Sequence, residues 1–144
     1  MGLDFSHCEA RWAYSSFNRF RTRLAAEAGI ALHCMESFAW DFSTSSPYEK
    51  VWVCGHYPDK PLEKPVVDIQ PVIKWSAVKD DIVPLLNHSD CDGELTPDEC
   101  RKVGPRLIEL VSQWDDDDRD KINALLLYEG MKEAAERNES LEFL

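Results

Sequence analysis

The sequence has no apolar run that approaches the roughly 18 to 20 residues needed to span a bilayer. It also has no excess of basic residues, because 16 Lys and Arg stand against 27 Asp and Glu and leave a formal net charge of −11. This balance disfavours binding to extended nucleic acid through a broad basic surface. Residues 1–10 lack the basic-then-apolar layout of a secretion signal, so we expect a cytoplasmic protein with no membrane role.

Familiar catalytic motifs are missing too. There is no Gly-rich phosphate loop, no GxSxG elbow, no HExxH pair and no His–carboxylate spacing that indicates a shared site. The five cysteines are irregularly spaced and form no CxxC pair, which disfavours both a disulfide scaffold and a Cys/His zinc site. Enzymatic function is therefore uncertain and the less favoured expectation, although distant residues can assemble a site in the fold.

What is present is an ordinary globular composition, with 44% apolar and 30% charged residues over 144 positions. This is enough for one domain with its own core. The pattern predicts an α+β fold, a mainly helical single domain over 1–144 with a small mixed or antiparallel sheet. A Pro-rich extended segment, 43–75, lies within it and carries strand-like runs at 50–54 and 66–69.

Helical spacing and end signals predict helices over about 16–28, 78–86, 97–114 and 115–138, with short extended pieces at 2–5 and 141–144 that we expect to lie side by side. The run Thr96-Pro97-Asp98-Glu99 is a capping box, and Pro105 should kink the helix that follows it. That helix places six apolar residues on one face: Cys100, Val103, Leu107, Leu110, Val111 and Trp114.

The acidic run Asp115–Asp118 invites interpretation as a cation site or a mimic of nucleic acid. A structural role is favoured, because acids at a helix start complement the helix dipole and cap open N–H groups.

Residues 88–99, with the sequence HSDCDGELTPDE, resemble the calcium loop of the EF-hand family. Asp90, Asp92 and Glu99 fall at its third, fifth and twelfth positions, where that family places oxygen ligands. The first position is His88 instead of Asp, and a nitrogen there should weaken calcium binding considerably.

Three interpretations of this loop stay open. It is a structural turn in which Glu99 completes the helix cap, or a weak Ca²⁺ site in which Ser89, Asn87 or water replaces the missing ligand. The third is an Mn²⁺ or Zn²⁺ site, with ligands from His88, Asp90, Asp92 and Glu99.

Arg21 lies in an unusual place. On the wheel for residues 16–28 it falls inside the inward stripe, which is formed by Phe17, Phe20, Leu24 and Ala28. In the last helix Glu129 aligns with apolar residues in the same way. A buried charge needs a partner, so one hypothesis pairs Arg21 with an acid such as Glu129 across the core.

The alternative for Arg21 is a pocket that holds a nucleotide-like anion. Arg19 or Arg23 would then assist, because guanidinium groups suit phosphate. Aromatic residues near the helix would stack on the base; the candidates are Trp12, Tyr14, Trp40 and Trp52.

Three segments carry a wider resemblance: MGLDFSHC at 1–8, NRFRTRL at 18–24 and PLLNHSDCDGELTP at 84–97. With them the chain resembles an uncharacterised family of small acidic proteins encoded by actinobacteria and their phages. The resemblance implies no activity. It implies a setting in which small proteins act by binding, as immunity or counter-defence factors, by sequestering a signal nucleotide or by blocking a partner.

The sequence thus favours a non-enzymatic cytoplasmic protein that binds a protein partner, with loop 88–99 as a structural or weak metal-binding element. The second expectation is an immunity-related protein that sequesters a nucleotide-like signal. The third is a metal-dependent enzyme that uses the acidic loop and its histidine.

Overall fold

The computed structural model describes residues 2–32, 35, 36, 38, 73–89 and 92–144. Over these ranges the fold is α+β, as predicted, with four α-helices and two antiparallel two-stranded sheets. The strand-like runs at 50–54 and 66–69 lie outside the described residues. Within the same ranges, no helix combines the length and the apolarity that crossing a membrane requires.

The chain divides into two compact units, the first made of Met1–Phe20 and Lys79–Leu144 and the second of Arg21–Val78. In chain order the elements are β1 (Gly2–Asp4), β2 (Arg11–Ala13), α1 (Tyr14–Glu27), α2 (Val83–Leu86), β3 (Gly93–Leu95), α3 (Pro97–Val111), α4 (Arg119–Glu136) and β4 (Leu141–Phe143). A 3₁₀ turn, Trp75–Ala77, belongs to the second unit.

Both sheets are short hydrogen-bonded pairs in the first unit. β1 pairs with β2 in the register Leu3 to Trp12, and β3 pairs with β4 in the register Leu95 to Leu141. A single bridge between Phe5 and Phe143 also joins the end of β1 to β4. The expected contact between residues 2–5 and the C-terminal strand is therefore present, although the main partner of β4 is β3.

An aromatic cluster forms the core of the first unit. Trp12 stacks on Phe20 with ring centroids 4.6 Å apart, and Phe5 meets Phe143 edge to face at 4.8 Å. Such pairs stabilise a core beyond the apolar area that they bury. The members come from both ends of the chain, from α1 and from the turn after α3: Phe5, Trp12, Phe17, Phe20, Trp114 and Phe143.

The two shorter predicted helices are placed differently from the expectation. α1 begins at Tyr14, so Ser16 lies inside it and does not cap it, whereas Gly29 follows its end at φ +76° as expected. The helix expected over 78–86 is only the four residues of α2. Its start is fixed locally, because the Asp80 carboxylate accepts the Ile82 N–H and Pro84 lies in the first turn.

α3 confirms the capping box and the predicted buried face. Thr96 and Glu99 exchange side-chain to backbone hydrogen bonds, 2.9 Å from Thr96 N to Glu99 Oε1 and 3.2 Å from Glu99 N to Thr96 Oγ1. The apolar residues predicted for one face are all buried. The helix continues through Pro105 as one element.

The acidic run serves the start of α4, which confirms its structural interpretation for two of the four residues. Asp118 is the N-cap and accepts the Asp120 and Lys121 N–H groups. Asp116 pairs with Lys121 Nζ at 2.8 Å, and the same ammonium donates to the Trp114 carbonyl at 2.8 Å. Lys121 thereby supplies a cation just beyond the end of α3, where the helix dipole favours one.

The predicted inward face of α4 was wrong. Glu129 is exposed, and so are the residues with which it aligns: Ile122, Leu125 and Leu126. The buried face is instead the opposite one, made of small residues and a few large ones: Ala124, Leu127, Gly130, Met131 and Ala134. Both faces are apolar, so helical spacing alone could not select the correct one. Glu129 therefore cannot serve as the buried acid expected for Arg21.

One ion pair in the first unit is largely shielded from water. Asp80 accepts two hydrogen bonds from Arg106, 3.0 Å from Nε and 2.9 Å from Nη2, with side chains only 14% and 27% exposed. Burial alone would raise the pKa of Asp80. The hydrogen bonds from Arg106 and from the Ile82 N–H, together with the Arg106 charge, outweigh it and hold that pKa below its ordinary value of 3.8.

We predict that Asp80→Ala lowers the free energy of unfolding at pH 7 by about 2 kcal/mol, because it leaves Arg106 without its main acceptor. Since the folded pKa of Asp80 lies below the unfolded one, the contribution is complete well above pH 4 and is lost as pH falls through the folded pKa. Urea unfolding from pH 7 to pH 3 measures how much stability the wild-type protein loses as the pH falls. This pH-dependent loss should be smaller in Asp80→Asn, which has no carboxyl group to titrate at this position.

The control is Asp98→Asn, which removes an exposed pair with Arg101 and should cost less than about 0.5 kcal/mol. Equal losses from Asp80→Ala and Asp98→Asn would contradict a stabilising role for the shielded pair.

Candidate functional site

The main candidate for a functional surface is an apolar groove along α3 and α4. It has a volume of about 460 Å³. One lining residue comes from α3 and the others from α4: Ile108, Ile122, Leu125, Leu126, Tyr128 and Glu129. Three large aliphatic side chains here are unusually open to solvent, since Ile122 is 46%, Leu125 41% and Leu126 36% exposed. Adjoining exposed apolar side chains of this size are typical of interaction sites.

This groove was not predicted from the sequence, because the helical spacing of these residues is also that of a buried face. A usable signal was present: between Ile122 and Ala134, α4 has more apolar residues than one buried face needs. One set, spaced as Ala124, Leu127 and Met131, is buried. The other set, Ile122, Leu125 and Leu126, therefore faces solvent or a partner.

The loop at 88–99 uses its polar groups for local structure. Asp90 and Cys91 lie outside the described residues. Asp92 accepts a hydrogen bond from Ser89 Oγ at 3.0 Å, and the carboxylate of Glu99 accepts the Thr96 N–H. Glu99 would have to leave this bond, at least in part, to close a metal site as a bidentate ligand.

The ring of His88 packs on Phe143, and a carbonyl oxygen lies near each of its nitrogens. Its ring stacks on Phe143 with centroids 3.8 Å apart, and its Nδ1 and Nε2 lie 2.9 Å from the Ser89 carbonyl oxygen and 3.0 Å from that of Glu94. Gly93, at φ +103°, lies against the ring, and a Cβ there would come within 2.9 Å of His88 Cε1. Ligation of a metal through either nitrogen would break one of these contacts.

Among the described residues there is no group of three or more His, Cys, Asp or Glu side chains that could hold a metal ion. Because Asp90 is not among them, Ca²⁺, Mn²⁺ or Zn²⁺ binding by this loop stays a prediction.

Arg21 is buried as predicted, with 3% of the residue exposed. In the second unit its guanidinium carbon lies 5.2 Å from the centroid of the Phe38 ring, a cation–π arrangement. Phe38 in turn packs edge to face on Trp75, whose backbone N–H donates to Glu36 Oε1. This arrangement gives Arg21 a structural role in its own unit.

The other residues expected at an anion site have different surroundings. Arg19 is exposed, whereas Arg23 and Tyr14 are half-buried. Trp12 is buried in the aromatic core of the first unit, and its indole N–H donates to Asp120 Oδ1 at 3.0 Å. It is therefore not open for stacking on a base. Trp40 and Trp52 lie outside the described residues, so an anion site stays a prediction.

Ser6, His7 and Glu139 form a polar cluster that the sequence did not indicate. Ser6 Oγ and His7 Nδ1 are hydrogen-bonded at 2.7 Å, and His7 Nε2 lies 3.6 Å from Glu139 Oε2. The Ser6 hydroxyl also accepts the Glu142 N–H at 2.8 Å. The cluster thus fastens the segment after β1 to the C-terminal segment.

Neither described thiol has the properties of an activated nucleophile. Burial raises the pKa of both Cys8 and Cys100, so the reactive thiolate form is disfavoured at neutral pH.

A smaller cleft of about 260 Å³ also lies along α3 and α4, near Cys100, Pro105 and Lys132. Its arginine, Arg101, already donates to Asp98, to the Ala135 carbonyl and to Asn138. The guanidinium is thus used by the protein itself, and the larger groove is the better candidate.

Comparisons with protein-family models, with curated proteins and with solved structures find no match to this chain. Function must therefore be inferred from its own residues and their geometry.

We predict that Glu99→Gln keeps the stability of the wild-type protein within about 0.5 kcal/mol, because a Gln side chain can accept the Thr96 N–H as Glu does. Glu99→Ala should cost about 1 kcal/mol. Thermal unfolding with and without Ca²⁺, Mg²⁺, Mn²⁺ and Zn²⁺ measures both effects. If a cation raises the melting temperature of the wild type and not that of Glu99→Gln, Glu99 is a metal ligand and the capping role is insufficient.

We also predict that Gly93→Ala lowers the free energy of unfolding by about 2 to 3 kcal/mol, through its positive φ and its clash with His88. Gly29→Ala is the matched control, since Gly29 has φ +76° with no atom near its Cβ position, and should cost about 1 kcal/mol. Urea unfolding in a His88→Ala background should reduce the difference. An unchanged difference there would mean that the His88 ring is not the obstacle.

Proposed function

We propose that this protein is a non-enzymatic cytoplasmic binding protein that engages a protein partner through the groove along α3 and α4. The observation that carries the proposal is the exposure of Ile122, Leu125 and Leu126 side by side on one face of α4. In this proposal loop 88–99 is a structural element that joins α2 to α3.

Energetics support a partner at this face. Removing the exposed part of each of these three side chains from water would contribute on the order of 1 kcal/mol. Ile108 and Tyr128 extend the same surface, so the groove offers a continuous apolar centre. The polar groups of Glu129 and its neighbours would form the rim, an arrangement typical of protein–protein interfaces.

Two features support a binding role over catalysis. Burial raises the pKa of both described thiols, so neither is an activated nucleophile. The groove itself is lined by one ionisable carboxylate, Glu129, and one phenol, Tyr128, among aliphatic side chains. Such a lining is suited to burying apolar surface.

The proposal predicts that Leu125→Asp abolishes partner binding, because a carboxylate at the centre of the interface would be buried without a partner. Tagged wild-type protein and Leu125→Asp would be purified in parallel from the native host, and co-purifying protein would be quantified by mass spectrometry. We expect recovery of a stoichiometric partner to fall at least tenfold.

The matched control is Ser15→Asp, which adds the same charge at an exposed position of α1. It should leave recovery unchanged, and equal melting temperatures of the two variants would show that neither change unfolds the protein. A stoichiometric partner retained equally by Leu125→Asp would refute the role of the groove.

A further inference from the structure

Resting on the proposed function, we infer that the groove accepts a single amphipathic helix of the partner protein, with basic residues flanking its apolar face. The occupant is thus one helix that supplies aliphatic side chains to Ile122, Leu125 and Leu126. The lysines or arginines of that helix lie opposite the carboxylate of Glu129 and the negative surface beside the groove.

The size of the apolar patch favours a narrow occupant. From Ile122 to Glu129 the patch runs about 10 Å along α4, or two helical turns. Its exposed aliphatic area is on the order of a few hundred Å². A stable interface between globular surfaces buries about 800 Å² on each partner, which this patch alone does not provide.

The lining chemistry favours a helix over an extended strand. A strand docks by pairing its backbone N–H and C=O groups with the open edge of a sheet. The groove is bordered by two helices, and its lining polar side chains are those of Tyr128 and Glu129. A helix satisfies its own backbone groups and needs only apolar side-chain contacts from such a surface.

The charge around the patch favours a basic partner. The groove lining carries one carboxylate, Glu129, and no lysine or arginine, and within the described ranges no cation lies within 4 Å of Glu129. Within α4 the three cations, Arg119, Lys121 and Lys132, are outnumbered by four carboxylates. The local balance stays negative, in line with the net charge of −11. Opposite charge at the rim steers association and selects the partner.

The same charge argues against a second copy of this chain as the occupant. Two copies would bring net charges of −11 together and place the carboxylates of both grooves near each other. Like charges across an interface are costly, so a basic helix is the better complement.

The test uses three synthetic peptides as probes. The first has Leu and Ile at positions i, i+3, i+4 and i+7, flanked by Lys; the second has the same apolar positions flanked by Glu; the third is a scrambled version of the first. Binding to the full chain would be measured by fluorescence anisotropy at low and high salt. We expect the Lys-flanked peptide to bind at least fivefold more tightly than either other peptide, with a preference that falls as salt rises.

Variants of the protein test whether the Lys-flanked peptide binds at the groove. Leu125→Asp should weaken binding of the Lys-flanked peptide at least tenfold. Glu129→Lys should reduce its preference over the Glu-flanked peptide at least threefold. Glu9→Lys makes the same change in net charge at an exposed residue that does not line the groove, and it should affect the preference less.

Four outcomes would overturn the inference: equal binding of the Lys- and Glu-flanked peptides, equal binding of the scrambled peptide, equal effects of Glu129→Lys and Glu9→Lys, or a dimer in sedimentation velocity that Leu125→Asp dissociates. If no peptide binds while capture of the host partner still depends on Leu125, the helix inference fails and the proposed function stands. If the peptide binds but Leu125→Asp does not reduce capture of the host partner, the proposed function fails instead.

Discussion

The aromatic cluster around Trp12 is the constraint on which the rest of the first unit depends. Its rings come from the N-terminal segment, α1, the turn after α3 and β4, so the rings are buried only when these parts come together. The cluster also decides which residues are left for function. It takes Trp12 out of contact with solvent, and it presents one face of Phe143 as a support for His88. Core packing thus determines the shape of the loop beside it.

Local signals in the sequence were reliable where the structure depends on neighbours in the chain. The capping box needs only Thr96 and Glu99, three residues apart, and it forms as predicted. Asp118 caps α4 for the same reason, and the buried face of α3 follows its helical spacing. The burial of Arg21 could also be predicted, because its position relative to Phe17 and Leu24 is fixed by the geometry of one helix.

Features that join distant residues could not be predicted in the same way. The pairing of β3 with β4 joins residues near 94 and 142, and nothing in either short strand specifies the other. The choice between two apolar faces of α4 depends on how it packs on α3, which its own sequence does not encode. The groove was hidden by that ambiguity. Glu99 caps α3, and the ligand role predicted for it would compete with that hydrogen bond to the Thr96 N–H; the order of residues does not distinguish the two roles.

The contact between Lys121 and the turn after α3 has a consequence for the rotation of α4 about its own axis. The ammonium reaches the Trp114 carbonyl from a side chain only 12% exposed, so this contact favours one rotation of α4 about its axis. A shift by one residue along the helix would turn every side chain by about 100° and carry Leu125 away from its present direction. The polar contact between Lys121 and Trp114 thus helps to orient the apolar side chains of the groove, which lie further along α4.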